Sequence, residues 1–269
     1  VRGVYANSSN IEDNYIEVFQ YYDCYDYNQG IISYHHSNRS VIKNNTINAF
    51  GFTSGIRADN ADILNNQITG DMSNVPGWCC WFQDSYMWSI GYGHNNLIKG
   101  NTITNAERGI YVDGYDNNVI DSNMIQVQRY AIKGDNADSL IVINNTLQTN
   151  DGTIITTTNG GSTIKYNLLL TSSGRGIHCE NQAGIEFSNN TIISSSSGDY
   201  GVHISNLSAP VVRNNIIQGF QNGIYADNTL VNYALSYNDL FQITGNMFDG
   251  TAMPPLIGQP ISLNANGDV

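Results

Sequence analysis

Two aspartates, Asp113 and Asp135, close near-equivalent pentads, G-I-Y-V-D from Gly109 and A-I-K-G-D from Ala131. If these pentads are stacked copies of one repeat, the two carboxylates lie roughly 5 Å apart, the spacing of neighbouring parallel strands. Two carboxylates that close share a proton or bind a divalent cation, and Ca2+ suits an all-oxygen donor set. Lys133, Arg57 and Tyr111 occupy the adjoining position of the same pattern and offer a cation, a base and a proton-transfer group beside the acidic pair. Asp113, Asp135, Lys133, Arg57 and Tyr111 are therefore the catalytic candidates. Asp59, His94, His178 and Glu180 are polar positions that extend the same surface. Trp78, Trp81, Tyr86 and Trp88 stand in one insertion that holds all three tryptophans of the chain. Those rings either bury one another over a corner of the fold or form a wall on which sugar rings stack through their apolar C–H faces. The alternative for the charged positions is structural: outward Asp, Lys and Arg side chains are commonly solvated, and a Lys133 pair with Asp113 or Asp135 would only tie neighbouring strands together.

What could place these residues side by side is a repeat. An Asn followed two residues later by Ile or Leu, most often inside N-N-T-I, recurs at Asn14, Asn45, Asn66, Asn101, Asn123, Asn145, Asn167, Asn190, Asn215 and Asn238, with a basal interval close to 22 residues. Before most copies stands a short alternating segment, such as G-I-R-A-D from Gly55, G-I-H-C-E from Gly176 and G-I-Y-A-D from Gly223. Alternation with period two means a strand with one buried face, so Ile110 and Val112 point inward while Tyr111 and Asp113 point outward. No stretch has the length or periodicity of an amphipathic helix. The expected fold is all-β: a single-stranded right-handed parallel β-helix, a solenoid of about ten rungs spanning residues 1–269 as one domain. The recurring Asn should form an internal ladder of side-chain amides.

Under that scheme the first outward column reads Tyr5, Ile32, Arg57, Tyr111, Lys133, Ile155, His178, His203 and Tyr225. The second reads Asn7, Tyr34, Asp59, Asp113, Asp135, Thr157, Glu180, Ser205 and Asp227. Gly91-Tyr92-Gly93-His94 interrupts the pattern, and His178 and His203 are placed two rungs apart. Cys179 points inward. Insertions are expected near residues 17–37 and 70–88, and an irregular segment over 241–269. The start at Val1 and the uncapped first strand lead to the expectation of a chain cut from a longer protein, or of end-to-end self-association.

The N-N-T-I turns with intervening G-I-x-x-x strands resemble the pectate-lyase-like superfamily, in particular its short-repeat, carbohydrate-associated branch, over about Val4 to Leu240. The resemblance implies a polysaccharide partner and β-elimination on a uronic-acid-containing glycan, with Ca2+ bridging Asp113, Asp135 and the substrate carboxylate while Lys133 or Arg57 acts as base. Without Ca2+, the same pair suits glycoside hydrolysis, where carboxylate separation decides the stereochemical outcome. A third reading is a non-catalytic surface, adhesive or filament-forming scaffold. Composition narrows the rest. With 23 Asp and Glu against 11 Lys and Arg, and a net charge of −12, the chain is a poor partner for nucleic acid or anionic membrane. It has no apolar run of membrane-spanning length. Few lysines, abundant Asn, Ser and Thr, and N-x-S/T sequons at Asn7, Asn38, Asn44, Asn144, Asn189 and Asn206 suggest a secreted or cell-surface protein.

Overall fold

The computed structural model describes residues 2–5, 9–19, 28–33, 38–50, 53–71, 88–91, 93–113, 117–137, 139–158, 161–181, 184–206, 210–227 and 234–249. Every regular element among them is a strand, and every pairing is parallel. The strands form a ten-stranded and a 17-stranded sheet, and four long strands of the latter, Thr102–Asp113, Met124–Asp135, Thr191–Ser205 and Ile216–Asp227, bend to serve two sides of the coil. Each turn of the solenoid thus has three faces: the ten-stranded sheet first, a second face that follows the repeated Asn, and a third made by the G-I-x-x-x segments.

Each face contributes buried apolar residues to the interior of each rung. Ile42, Ile63, Ile98, Ile120, Val142 and Ile164 stack on the first face, Ile47, Ile68, Ile103, Ile125, Leu147 and Leu169 on the second, and Ile56, Ile90, Ile110, Ile132, Ile155 and Ile177 on the third. All of them are at most 2% exposed. β-branched side chains suit this arrangement because their single preferred rotamer packs on a pleated surface.

The corner between the first and second faces explains the N-N dipeptide. Its first residue adopts the left-handed conformation, with φ between 51° and 58° at Asp13, Asn44, Asn65, Ser122, Asn144, Tyr166, Asn189, Asn214 and Tyr237. Asn and Asp tolerate this geometry better than other non-glycine residues. Gly100 takes the same corner at φ 67°, where a Cβ would meet Asn65 Oδ1 at 2.3 Å. The second residue is the ladder Asn. From Asn14 to Asn238 all ten join in one unbroken chain, each Nδ2 donating to the Oδ1 of the next at 2.9–3.0 Å. The backbone N–H of each donates to the same Oδ1 at 2.9–3.1 Å. The other Nδ2 proton goes to a core-residue carbonyl of the preceding rung, as in Asn123 to Ile98 and Asn145 to Ile120, both 2.9 Å. The buried amides are therefore satisfied. Sequons at Asn44, Asn144 and Asn189 fall out of the same grammar: corner Asn, ladder Asn, then the Thr that opens the next strand.

Within the segment expected as a first insertion, Tyr15–Phe19 and Asn28–Ser33 are strands that pair with Thr46–Phe50 and Thr53–Ala58, and residues 20–27 and 34–37 lie outside the described residues. Of the second, Gln67–Asp71 and Trp88–Gly91 are strands and 72–87 lie outside the described residues. Phe248–Asp249 pairs with Ile224 and Tyr225, adding strand to the segment expected to be irregular. Ion pairs join rungs on the outside of the first face: Lys99 to Asp121 and Lys165 to Glu186 at 2.7 Å, and Arg213 to Glu186 at 2.8 Å. Lys165 pulls Glu186 below its ordinary pKa against an opposing effect of burial, with Arg213 and Ser188 assisting. For Asp121 burial acts upward, yet Lys99, Asn144 and Ser122 together carry the pKa below its ordinary value.

Replacing Asn123 by Ala strips a buried donor–acceptor set from the middle of the ladder and leaves neighbours unsatisfied, so it should lower stability by about 3 kcal/mol or more in urea unfolding followed by circular dichroism. An unchanged midpoint would contradict the ladder's energetic role. Conversely, Tyr166→Asn relieves a left-handed tyrosine and should raise the unfolding free energy by about 1 kcal/mol, seen as a higher urea midpoint. Depressed carboxylate pKa values stabilise the fold above the unfolded-state values and lose that contribution as pH falls through the folded ones. Below pH about 4 the protein should therefore lose stability, less steeply in Glu186→Gln.

Candidate functional site

On the third face the pairings fix which residues share a register position, and Ile32, expected on the outside, is buried at 1% exposure. Tyr5, Ile32, Arg57, Gly91, Tyr111, Lys133, Thr156, His178, His203 and Tyr225 occupy one register position on successive rungs. Asp113, Asp135, Thr158, Glu180, Ser205 and Asp227 occupy the next but one. This corrects the expected columns at one rung, where Thr156 and Thr158 replace Ile155 and Thr157. Ile154 and Ile155 are both fully buried, and the amides of Ala131 and Ile132 both donate to Ile154 O, so the doublet shifts the alternation by one residue. Thr157 faces inward and lies 2.9 Å from Cys179 Sγ.

Three of the catalytic candidates meet. Lys133 Nζ forms an ion pair with Asp135, Tyr111 Oη donates to Asp135 Oδ2 at 3.2 Å, and Lys133 Nζ lies 5.3 Å from the centroid of the Tyr111 ring. The Lys133 and Asp135 side chains keep 30% and 20% of their surface, which leaves the cluster open to an incoming molecule. Asp113 lies on the neighbouring strand in register with Asp135, as the repeat predicted; its side chain lies outside the described residues. Arg57 stands two rungs from Tyr111, and the rung between contributes Gly91 at this position. The column therefore has a step without a side chain, flanked by a guanidinium on one side and the Tyr111–Asp135–Lys133 cluster on the other.

The remaining candidates divide. Asp59, expected on the outer surface, is 6% exposed and accepts the His94 backbone N–H at 2.6 Å. It closes the turn into the next rung because Asn60, just after it, is left-handed at φ 52°. His94 is half-buried at that same turn. His178 and His203 lie on adjacent rungs, not two apart, and stack at 4.5 Å. His203 also contacts the rings of Tyr200 and Tyr225 at 5.2 and 4.9 Å. Glu180 is half-buried two rungs beyond Asp135. Trp78, Trp81 and Tyr86 lie outside the described residues; Trp88 begins a strand in register with Arg108, and its side chain is likewise outside them. Two features carried no motif. Arg108 and Glu107 are buried beside Arg129, and the Arg108 guanidinium lies 5.0 Å from the Tyr130 ring centroid. At the corner leading to the first face, Asn118 Oδ1 accepts from Asn96 N at 3.0 Å, and Asn96 Oδ1 from Ala61 N at 2.9 Å, a short second amide ladder.

No group of three or more His, Cys, Asp or Glu side chains that could hold a metal ion occurs among the described residues, and Asp135 already has Lys133 as its counter-charge. Of the pair expected to hold Ca2+, the side chain of Asp113 lies outside the described residues.

With this geometry in view, relatives are informative about architecture. Residues 80–217, more than half of the chain, match the family model of the right-handed β-helix region, and the chain belongs to that family. The fold is accordingly the right-handed parallel β-helix that the pectate-lyase-like resemblance implied. Among solved structures, the A-module of a mannuronan C-5 epimerase from Azotobacter vinelandii is similar, with a TM-score of 0.65 at 10% identity, covering 94% of this chain and 73% of that one. PfbA, a surface adhesin of Streptococcus pneumoniae, is similar with a TM-score of 0.57 at 10% identity, covering 96% and 77%. A second structure of PfbA gives 0.51 at 8% identity, covering 82% and 76%. No curated protein matches the chain in sequence.

Cys179 is fully buried, and burial pushes its thiol up to about 12. Iodoacetamide at mildly alkaline pH should leave the Cys179 peptide unmodified in the native protein and alkylate it in concentrated urea, read by peptide mass spectrometry. Native-state labelling at Cys179 would show that this rung opens.

Proposed function

We propose that the protein is a secreted or surface-held, carbohydrate-active β-helix that acts on a uronic-acid-containing glycan by β-elimination along the outer surface of its third face. The observation that carries this reading is the joined Tyr111–Asp135–Lys133 cluster, separated from Arg57 by the bare Gly91 step. A sugar ring seated over Gly91 would meet a cation on either side, and its carboxylate would be drawn to them. Neutralising that carboxylate acidifies the adjacent C5–H.

Tyr111 then has the proton-transfer role. Its hydroxyl proton passes to Asp135 as the phenolic oxygen takes the C5 proton. The released electron pair forms the C4–C5 double bond, the glycosidic C4–O4 bond breaks, and the departing oxygen takes up the proton that Asp135 received, restoring its carboxylate. Of the two residues expected as base, Lys133 or Arg57, Lys133 is tied to Asp135 as its counter-ion, and both are assigned instead to charge neutralisation. Hydrolysis by an Asp113–Asp135 pair fits less well, because Asp135 is committed to Lys133 and Tyr111. The A. vinelandii fold relative is named for a reaction at C5 of mannuronan, a uronate polymer, which agrees with this choice of substrate class. The fold likeness to a surface adhesin favours a second reading, a non-catalytic scaffold on which the same charges only tie rungs together.

Incubation with alginate, polygalacturonate and neutral glycans, with and without EDTA, separates these readings. Lyase action gives the ultraviolet absorbance of unsaturated uronate ends. Tyr111→Phe and Asp135→Asn should reduce that signal at least a hundredfold while the urea midpoint stays near wild type. New reducing ends without unsaturation would favour hydrolysis, and no product from any glycan would leave the scaffold.

A further inference from the structure

The second face carries a feature that the third-face chemistry does not use. Its outer surface has a groove of about 700 Å³ running along the rod across consecutive rungs, lined by Asn48, Phe50, Thr69, Asp71, Asn105, Gln126, Gln128 and Asn150 over a floor of Gly70, Ala106 and Val127. The floor follows from two local events. Asn105 adopts the left-handed conformation at φ 58°, and the register shifts on either side of Ala106. Gly70 lets the neighbouring strand come close: a Cβ there would lie 2.7 Å from Ala106 Cα. Small residues thus pinch the sheet inward, while the longer polar side chains of the adjoining rungs stand up around it.

The lining selects a class of ligand. Side-chain amides from four rungs present both donors and acceptors, the complement of a surface rich in hydroxyls. Gln126, Gln128, Asn105 and Asn150 are exposed, so their polar ends are accessible. At one end Phe50 stacks on Phe19 with centroids 4.5 Å apart and planes 2° from parallel, and Phe19 remains 42% exposed, an aromatic wall of the kind that receives C–H faces. No Lys, Arg or His lines the groove among the described residues, and its single charge is the acidic Asp71. In a protein of net charge −12, an anionic polymer would be repelled from such a surface.

We propose that this groove is a binding site for a neutral glycan chain, laid parallel to the rod axis and distinct from the charged surface of the third face. The inference does not depend on the lyase reading. It gives the protein a hold on a neutral polysaccharide while the third face addresses a charged one.

Affinity electrophoresis of the full chain tests it, using gels that contain xylan, galactomannan, hydroxyethylcellulose, alginate or polygalacturonate. At least one neutral polymer should retard the wild type. The double variant Gln126→Ala/Gln128→Ala, which alters only exposed side chains, should weaken that retardation tenfold or more, as should Phe50→Ala. Asp135→Asn should bind the neutral polymer like wild type, even where it abolishes product formation from uronates. Failure of every neutral polymer to retard the protein overturns the proposal. So does undiminished binding by the double glutamine variant, or loss of binding in Asp135→Asn, which would place the ligand on the third face.

Discussion

The rest of the molecule depends on one hydrogen-bonded column. Each ladder Asn joins three strands: its Oδ1 receives the amide and the backbone N–H of one neighbour, and its own Nδ2 reaches a core-residue carbonyl on another. Because the amide has a fixed size, the link sets both the rise between rungs and their rotational phase. A sheet pairing alone tolerates slippage by whole residues; a buried amide that must find its partner does not. The left-handed residue before each ladder Asn turns the chain through the corner, so that ladder and corner together convert a linear repeat into a coil with three defined faces.

That constraint is what lets residues 22 apart become neighbours. Tyr111, Lys133 and Asp135 meet because Asn101, Asn123 and Asn145 hold their rungs in phase. The interior gives no rung the freedom to shift, since buried aliphatic residues from all three faces fill each level. Functional variety is therefore confined to the outward positions, where a side chain can change without disturbing the coil. This division is why a fold with a uniform core carries three chemically different surfaces: ion pairs on the first face, amides and phenylalanines on the second, and a mixed cationic and acidic cluster on the third.

The same division decides what the sequence reveals. The ten ladder positions are legible because only Asn satisfies the corner's geometry, and repetition makes the signal cumulative; all ten fall in the column. Adjacency of Asp113 and Asp135 follows from that register alone. Whether neighbouring side chains are paired does not follow from it: the commitment of Asp135 to Lys133 and Tyr111 depends on rotamers, which spacing leaves open. Asp59 shows a different limit. Alternation places it outside, but a left-handed Asn60 turns the chain, and the carboxylate becomes a buried acceptor. The Ile154–Ile155 doublet misleads in another way, since either residue can begin the inward set and a bulge accommodates both. The second-face groove left no motif, because it arises from a register shift and an approach of Gly70 to Ala106 between distant segments.

On the proposed readings, charge separates the two outer surfaces. A chain with a net charge of −12 imposes a repulsive field on any polyanion, so a uronate polymer can settle only where local cations reverse it. On the proposed reading, Arg57 and Lys133, on either side of Gly91, would be such a place. The second-face groove, with Asp71 and no cation among its described lining, is not, and there a neutral chain pays no electrostatic penalty. If both proposals hold, two faces with opposite preferences would suit a composite polysaccharide, in which charged and neutral strands run together. In that setting the rod would lie between the two, since surfaces on different sides of one rigid coil cannot both engage a single extended chain.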